Sequence, residues 1–386
     1  MQVKQIAPLV NSITQEMTGE IPLLNEDLGN VVDVGTAIFG LDYDRFTRDL
    51  VDHIGRMIFV NRVYDKGMLP LLRDGWEYGS VLQKVHYIKL PEATENETWE
   101  LNNGQSYDPN IFYGSDVASK FFTKRVTFEV DISLVEEQVK SAFDNSGQLA
   151  AFIAMIETAV DNSITIKLRG LEMRTINNMI AETLHNDIPG AGYNNYTGNR
   201  VVNLLKLYNT AFTKTLTADA ALYDGDFLRF AASVIRKIPR RLSELSTLYN
   251  VGGAERFTPP DRLDIIMLND FKENLGVYLY DANGQFLTDN LRLPNSYSVS
   301  YWQGPGQSYD FDDISSIKVT TASGHEVTAS GIVGIMYDHD AMGISNLKRK
   351  TTSNYNPKAD FTNYFHKAFA GYWNDLNENL VIFMVA

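Results

Sequence analysis

The chain has 386 residues, which is long enough for more than one lobe, and its formal net charge at pH 7 is −14. An acidic chain is not drawn as a whole to nucleic acid or to anionic membranes, and no apolar run approaches the roughly 20 residues that span a bilayer. It contains no cysteine, which excludes disulfide bonds, thiolate catalysis and cysteine-ligated metal sites.

The start of the chain lacks a clear periodicity and is interrupted by glycine and proline, which indicates an extended arm. The stretch DYDRFTRDLVDHIGRMIFV then places Phe46 and Leu50 on one apolar face, and Asp42 or Asp44 is a candidate N-cap. This pattern predicts a helix over 43–59.

Two strand-like stretches follow. The first is YGSVLQKVHYIKL (78–90), and the second, FTKRVTFEVDI (122–132), alternates strictly between apolar and polar residues. The polar stretch 91–116 separates them, and connections of this length usually have a function. Pairing the two stretches predicts a projecting hairpin. Ser133 and Glu136 then form a capping box, which predicts a short helix in SLVEEQVKSAF.

After Gly147, apolar residues recur every three or four positions, and no proline interrupts them before Pro189. This predicts one helix over 147–187, about 60 Å long, which Gly170 could bend. Two interpretations stay open. The helix is either the core helix of a large domain or a spine that joins two lobes or lies along a neighbouring subunit.

The stretch DGDFLRFAASVIRKI predicts an amphipathic helix over 224–238 that Pro239 ends. The adjoining letters RKIPRR form a basic cluster that consists of Arg236, Lys237, Arg240 and Arg241. Such a cluster is usually a solvated face or an ion-pair surface between subunits, and contact with nucleic acid is the alternative.

The remaining third of the chain is rich in strand patterns. RLDIIML (262–268) reads as a buried strand, Asn283–Gly284 as a turn, and 292–313 as an aromatic loop. ISSIKVTT and EVTASGIVGIMYD predict further strands. Residues 361–373 fit either a helical face or a strand, and the closing NLVIFMVA predicts a strand buried on both faces. The order of elements predicts an α+β chain with at least two lobes.

Motifs that would carry catalysis are missing. The sequence has no GxxxxGK[ST], GxGxxG, HExxH or GxSxG, and no SxxK with its partner motifs. We therefore predict no enzyme activity, no cofactor, and no catalytic, cofactor-binding or metal-ligating residue. A carbohydrate-active enzyme is the weaker alternative, in which Tyr301, Trp302 and Tyr309 would stack on sugar rings.

Two acidic clusters are candidates for cation binding. In MYDHDAMG, neighbouring strand residues point to opposite faces, so at most Asp338 and Asp340 converge, while His339 points away. A polar strand end that enters a turn explains this cluster better. DFDD (310–313) lacks the spacing of a calcium-binding EF-hand loop, and an exposed turn explains it better.

An extended arm, a projecting hairpin and an over-long helix would each expose more surface than a monomer keeps, which indicates a self-assembling structural protein. In this order of parts the chain resembles the major capsid proteins of tailed bacteriophages, which have the Hong Kong 97-type fold. The resemblance covers nearly the whole chain and is carried locally by RDLVDHIGRMIFVNRVYDKG and the residues that follow it to Leu90, by DRLDIIMLNDFKENL (261–275), and by FTNYFHKAFAGYWNDLNENL within 361–386.

The resemblance implies a role for each part of the chain. It implies an N-terminal arm at 1–76, an extended E-loop hairpin at 77–131, a peripheral domain with the spine helix at 132–189, an axial domain at 190–314, and returning strands of both domains at 315–386. The basic helix 224–241 would then lie near a capsomer axis or face a neighbour.

The function that this resemblance implies is mechanical. Subunits would form the pentamers and hexamers of an icosahedral or prolate head that encloses double-stranded DNA without sequence-specific binding. The implied partners are the chain itself, a scaffolding protein, the portal and, as a further candidate, decoration proteins. No membrane is implied. Assembly would take place in the host bacterial cytoplasm, and the product would be the virion capsid.

Two features differ from many members of that family. Many relatives begin with a long cleaved scaffolding segment, whereas this sequence reaches arm-like residues almost at once. Either that segment has been removed or a separate scaffolding protein is used, and we expect the second because Met1 has the character of a natural start. Lys84, Lys89, Asn354 and Asn356 are residue types that form covalent cross-links in some relatives, but no cross-link is predicted from them. The alternatives within structural proteins are a cargo-enclosing nanocompartment of the same fold and a tail-tube or baseplate protein, which the long helix disfavours.

Overall fold

The fold is known from a computed structural model of the chain. The described residues are 71–73, 82–87, 90–91, 93, 95, 103–104, 106, 108, 110–114, 116–135, 146–188, 192–193, 196–278, 295–303, 310–322, 324–359 and 361–386. The predicted helix over 43–59, the arm before it and the turn at Asn283–Gly284 lie outside these residues.

The chain divides into two compact units. The first consists of Met1–Arg62 with Phe143–Ala159, and the second consists of Val63–Ala142 with Val160–Ala386. In the first unit the structure describes only the beginning of a long helix. The sheets and the ion pairs described for this protein all lie within the second unit.

Helices and strands alternate along the described part of the chain. The described helices are α1 (Ser146–Asp187), α2 (Leu204–Phe212), α3 (Ala218–Ala221), α4 (Gly225–Leu242), α5 (Asn269–Tyr278) and α6 (Phe311–Ile314), with a 3-10 turn at Pro260–Arg262. The described strands are β1 (Leu72–Arg73), β2 (Leu82–Tyr87), β3 (Val117–Phe122), β4 (Arg125–Leu134), β5 (Val201–Asn203), β6 (Leu263–Leu268), β7 (Asn295–Val299), β8 (Ile317–Thr320), β9 (Glu326–Ala329), β10 (Ile332–Asp338), β11 (Met342–Asn356), β12 (Phe361–Asn374) and β13 (Leu380–Met384).

The long helix is confirmed, because α1 runs without interruption over 42 residues. Its apolar side chains, from Val160 to Leu171, pack against a four-stranded sheet in the order β1-β11-β12-β4. The strict alternation of β4 is also confirmed, since its apolar residues, from Val126 to Ile132, face this helix. The ambiguous segment 361–373 is a strand, β12, which pairs with β11 on one side and β4 on the other.

The helix predicted in SLVEEQVKSAF is wrong at its first residues. Ser133 and Leu134 belong to β4, and the Ser133 hydroxyl lies 2.6 Å from Oδ1 of Asn363 on β12 instead of capping a helix. Pairing with β12 extends the strand because each added residue gains ladder hydrogen bonds, which a local capping box does not offer. Residues 136–143 of the predicted helix lie outside the described residues.

The predicted hairpin has a different second strand. β2 pairs with β3 in antiparallel register from Leu82 opposite Phe122 to Tyr87 opposite Val117, whereas β4 pairs with β12. Only Thr123 and Lys124 separate β3 from β4, so one extended stretch leaves the hairpin and enters the large sheet. The sequence pattern shows the extended backbone but not this change of partner.

A second sheet, in the order β5-β13-β10-β6-β7, forms the main core. The buried strands predicted in RLDIIML and NLVIFMVA are confirmed as β6 and β13, whose residues are all buried. β13 lies between β10 and β5, so both of its edges are paired. Gly331 makes this close packing possible, because its φ is +77° and a Cβ at this position would lie 2.4 Å from the carbonyl oxygen of Val385.

Two boundaries in this part of the chain differ from the predictions. Asp224 caps the start of α4, and the helix continues through Pro239, where it was predicted to end, to Leu242. Pro239 lies in the last turn, where its missing N–H removes one helical hydrogen bond, and burial of Ile238 and Leu242 on either side favours the extra turn. The aromatic loop predicted over 292–313 contains the strand β7 and the short helix α6.

Candidate functional site

The acidic cluster around His339 is divided among three separate partners. The Asp338 carboxylate accepts hydrogen bonds from the Thr258 hydroxyl at 2.7 Å and from the backbone N–H of Asp340 at 2.8 Å. Nδ1 of His339 lies 2.8 Å from the Asp264 carboxylate, and the Asp340 carboxylate forms an ion pair with Arg262. The cluster is therefore a polar strand end that enters a turn. Among the described residues no group of three or more His, Asp or Glu side chains could hold a metal ion.

The other two candidate clusters have structural roles. In DFDD, Asp310 precedes the short helix α6, and Asp312 and Asp313 are exposed. Trp302 is wholly buried, and its indole N–H donates to the Ile332 carbonyl at 2.7 Å, so it is not available to stack on a sugar. Tyr309 lies outside the described residues. None of the described helices is long and apolar enough to span a membrane.

The basic cluster lies on one solvated face of α4. Arg236, Lys237, Arg240 and Arg241 are exposed, while the opposite side of the helix packs into the core. The predicted amphipathic character of this helix is confirmed.

The surface with the most distinctive composition is the hairpin formed by β2 and β3. One face carries Lys84, His86 and Lys120, which are half-buried or nearly so. The opposite face is exposed and mostly apolar, with Val85 and Phe121 each 58% exposed, and it also carries Gln83 and Ser119. This arrangement is the reverse of the usual one, in which the apolar face of an antiparallel pair packs on the core and the polar face is exposed to solvent.

The inward face of the hairpin is held by an ion-pair cluster with the loop between β12 and β13. Nζ of Lys84 lies 2.6 Å from Oε1 of Glu378 and 2.9 Å from Oδ2 of Asp375. Nζ of Lys120 lies 3.0 Å from Oδ1 of Asp375, and Nε of Arg256 lies 3.6 Å from Oε2 of Glu378. Because the Asp375 carboxylate is wholly buried, this cluster fixes the base of the hairpin more strongly than surface ion pairs would.

The ion-pair cluster changes the pKa of its members. Burial lowers the pKa of Lys84, but attraction to Glu378 and Asp375 and hydrogen bonds to both raise it more, so the net shift is upward. Burial raises the pKa of Asp375, but the Lys84 charge and hydrogen bonds from Lys84 and Lys120 hold it below its usual range. Burial dominates for Glu378 and raises its pKa.

Replacing Lys84 with methionine is expected to lower the free energy of unfolding by about 1–3 kcal/mol near neutral pH. This cost is below the ~3–5 kcal/mol of a wholly buried pair, because Lys120 and Arg256 still contact the two carboxylates. Folding raises the Lys84 pKa above 10.5, so its stabilisation is complete below that pH and is lost as the pH rises through the folded-state pKa.

The measurement is denaturant unfolding of wild type and Lys84→Met over a series of alkaline pH values. The difference in free energy should be constant near pH 8 and should shrink at pH values above about 10.5. Lys358→Met, at an exposed turn, is the matched control and should show no such pH-dependent difference. A Lys84→Met difference that is zero at pH 8 would contradict the prediction.

The connection between β2 and β3 carries an exposed apolar tip, Ile111–Tyr113. Phe112 is 92% exposed, and its neighbours Ile111 and Tyr113 are also exposed. The backbone N–H of Asn110 donates to the Asp108 carboxylate at 2.9 Å, which forms a local turn just before the tip. Exposed aromatic residues of this kind usually mark an interface.

Sequence reasoning missed the partners of the hairpin. The sequence analysis names Lys84 only as a residue type that forms cross-links in some relatives. It predicts no role for Asp375, Glu378 or Arg256. The available signal was the placement of Lys84 and Lys120 on the strand faces opposite to the apolar residues Val85 and Phe121. That pattern indicates cations turned toward the protein, although it does not identify the carboxylates.

Comparison with known proteins gives one family match. A family model for the Phi29-like phage major capsid protein matches residues 10–384. No curated protein sequence matches the chain.

Solved structures with a similar fold come from phage particles. A chain in the capsid structure of Staphylococcus phage Andhra has a TM-score of 0.52 and 10% identity, with 85% of this chain and 86% of that chain covered. A chain in the structure of the head fiber and inner core protein gp22 of native bacteriophage P68 also has a TM-score of 0.52 and 10% identity, with coverage of 86% and 87%. At this identity the likeness shows a shared fold with mixed helices and sheets.

Proposed function

The chain belongs to the Phi29-like phage major capsid protein family, and we propose that it assembles with copies of itself into the pentamers and hexamers of a phage head. The head is icosahedral or prolate and encloses double-stranded DNA without sequence-specific contacts. Assembly takes place in the cytoplasm of the host bacterium, and the protein ends in the virion capsid. The proposal includes no catalytic step, cofactor or membrane.

The observation that carries this proposal is the inverted polarity of the β2–β3 hairpin. Its cationic face is turned inward onto Asp375 and Glu378, and its apolar face is exposed. Covering Val85 and Phe121 with a neighbouring subunit would contribute a favourable free energy of about 25 cal/mol for every Å² of apolar surface removed from water. A permanently assembled shell supplies that neighbour at every hairpin.

The parts of the chain take the following roles in the proposed shell. The hairpin and its connection, within 77–131, act as the E-loop that lies on an adjacent subunit, and 1–76 acts as the N-terminal arm. α1 serves as the spine helix of a peripheral domain at 132–189, in the Hong Kong 97-type arrangement. Residues 190–314 form the axial domain around the capsomer axes, and 315–386 return through both domains.

The proposed partners beyond the chain itself are a separate scaffolding protein, the portal and, as a further candidate, decoration proteins. The net charge of −14 suits the inner wall of a shell that holds DNA, because an acidic wall does not retain the packaged polymer by non-specific attraction.

The test is negative-stain electron microscopy and size-exclusion chromatography of the full chain, alone and with its co-expressed scaffolding protein. We expect closed shells, or rings of five and six subunits. A monomer or dimer under both conditions, with unfolding transitions that show a stable fold, would contradict the proposal.

A further inference from the structure

His86 lies on the inward face of the β2–β3 hairpin, within the ion-pair cluster at its base. It follows Lys84 by two positions on β2 and shares its face, and Lys120 lies opposite Lys84 on β3. Arg256 contacts the next residue of the same strand, because a guanidinium N–H donates to the Tyr87 carbonyl at 3.0 Å. The imidazole therefore lies among three cationic side chains.

The charged groups around His86 have an excess of positive charge. In the ion-pair cluster three cations contact two carboxylates, and these groups are Lys84, Lys120, Arg256, Asp375 and Glu378. The other charged side chains on the neighbouring segments are Glu255, Arg262, Asp338 and Asp340. Of these, Asp340 pairs with Arg262, and the Asp338 carboxylate accepts from Thr258. A proton on His86 would add a further positive charge to the cluster.

Nδ1 of His86 has no partner that could stabilise a proton. The atom is buried, and nothing in the described ranges forms a hydrogen bond with it. The neutral imidazole has one N–H, whereas the imidazolium has an N–H at both nitrogens, so protonation would leave a buried donor without an acceptor. Burial and the Arg256 charge lower the pKa of His86, Lys84 and Lys120 add to this shift, and the Asp375 charge offsets only part of it.

Side-chain contacts hold the hairpin base on the rest of the subunit. β2 and β3 form a two-stranded sheet of their own, and in the described part of the chain neither strand pairs with another sheet. An isolated two-stranded hairpin is marginally stable in water. Loss of the ion-pair cluster would therefore free the hairpin without breaking a β-ladder of the larger sheets.

We propose that His86 is a proton-sensitive latch at the base of the β2–β3 hairpin. The neutral ring allows the cations of the hairpin to stay on Asp375 and Glu378, and the protonated ring drives the base away from them while the two larger sheets stay folded. The inference goes beyond the proposed function, because it concerns a single subunit and requires no assembly.

The sign of the pH dependence follows from the preference for a neutral ring. The attachment is strongest above about pH 6.5, the ordinary pKa of histidine, and weakens as the pH falls from there toward the lower pKa of His86 in the attached state. Glu378 acts in the opposite direction, since burial raises its pKa and a proton on it favours the attached state. Asp375 has a lowered pKa, so its contribution is lost only below its ordinary value of 3.8. A comparison of pH 8 with pH 5, with and without the imidazole, therefore isolates His86.

Hydrogen–deuterium exchange of the full, unassembled chain tests the latch. Wild type is compared with His86→Gln, which takes up no proton, at pH 8 and pH 5. Mass spectrometry follows peptides from β2 and β3, and each rate is divided by the intrinsic chemical rate at that pH. Acidification should increase the normalised exchange at least about threefold more in wild type than in His86→Gln. An equal response of the two proteins would overturn the latch.

Peptides from β10 and β13 are the internal reference, because both strands are buried along their whole length. They should stay protected at both pH values in both proteins. Exchange that rises in these strands as much as in the hairpin would show global unfolding and would contradict a local latch.

A permanent charge at the same position gives a second test. His86→Arg should raise the exchange of β2 and β3 at pH 8 at least about threefold over wild type, with β10 and β13 still protected. His325→Gln, at an exposed turn between β8 and β9, is the matched control and should respond to acid as wild type does. Wild-type protection of the hairpin in His86→Arg at pH 8 would count against the latch as firmly as an unchanged response in His86→Gln.

Discussion

The double variant Val85→Asp and Phe121→Asp is expected to form no shells while the subunit keeps its fold. Both side chains are 58% exposed, so their replacement removes little buried apolar surface and should change the free energy of unfolding by less than about 1 kcal/mol. In the proposed shell the same face is covered by a neighbour, where two unpaired carboxylates at each hairpin would be desolvated. Electron microscopy counts shells, and circular dichroism follows the melting temperature.

Two controls separate charge at this face from charge elsewhere. Val85→Ile with Phe121→Leu keeps the face apolar and should preserve assembly. Tyr223→Asp adds a carboxylate at an exposed aromatic position outside the hairpin and should retain far more assembly than the hairpin variant. Normal shell yield from the double aspartate variant would exclude this face from the interface.

The largest loss of stability is expected from Trp302→Ala, at about 3–5 kcal/mol. Trp302 is wholly buried, and it forms hydrogen bonds with three elements, β10, α6 and α1. Its indole N–H donates to Ile332 of β10, its backbone N–H donates to Ile314 of α6, and its carbonyl accepts from Asn177 of α1. The alanine variant leaves a cavity and a buried carbonyl oxygen without its indole donor. Denaturant unfolding measures the change.

Trp302→Phe is the matched variant, because it keeps an aromatic side chain and removes the indole N–H. It should cost about 1–3 kcal/mol, mostly from the unpaired Ile332 carbonyl. A cost for Trp302→Ala below that of Trp302→Phe would show that the indole is not packed as described.

The sequence was sufficient to predict elements that depend on local periodicity. α1 is visible because apolar residues recur at helical spacing with no proline before Pro189, and β6 and β13 are visible because short apolar runs can be buried on both faces. The strict alternation of β4 reports that one of its faces is covered, here by the helix. Each of these patterns depends only on residues that are close to one another in the sequence.

Features that depend on distant partners could not be predicted in this way. β2 and β4 have compatible patterns, yet β2 pairs with β3, because the choice of partner depends on where the large sheet receives β4. Asp375 and Glu378 lie in a polar loop that resembles any surface loop until Lys84 is placed beside them. Pro239 predicts a helix end because the cost of a proline in a helix is visible in the sequence, whereas the burial of Ile238 and Leu242 that offsets this cost is not.

The ion pair between Lys84 and Glu378 joins residues that are 294 positions apart, and Ser133 of β4 is 230 positions from its partner Asn363 on β12. Chains with contacts this distant in sequence fold slowly, since a long loop must close before the contact is gained. Until the last third of the chain is in place, the edge of β4 that pairs with β12 is open, and Lys84 and Lys120 of the hairpin have no carboxylates beside them. Refolding from denaturant should therefore be slow and sensitive to protein concentration, and fast synthesis should favour inclusion bodies unless chaperones protect the open edge.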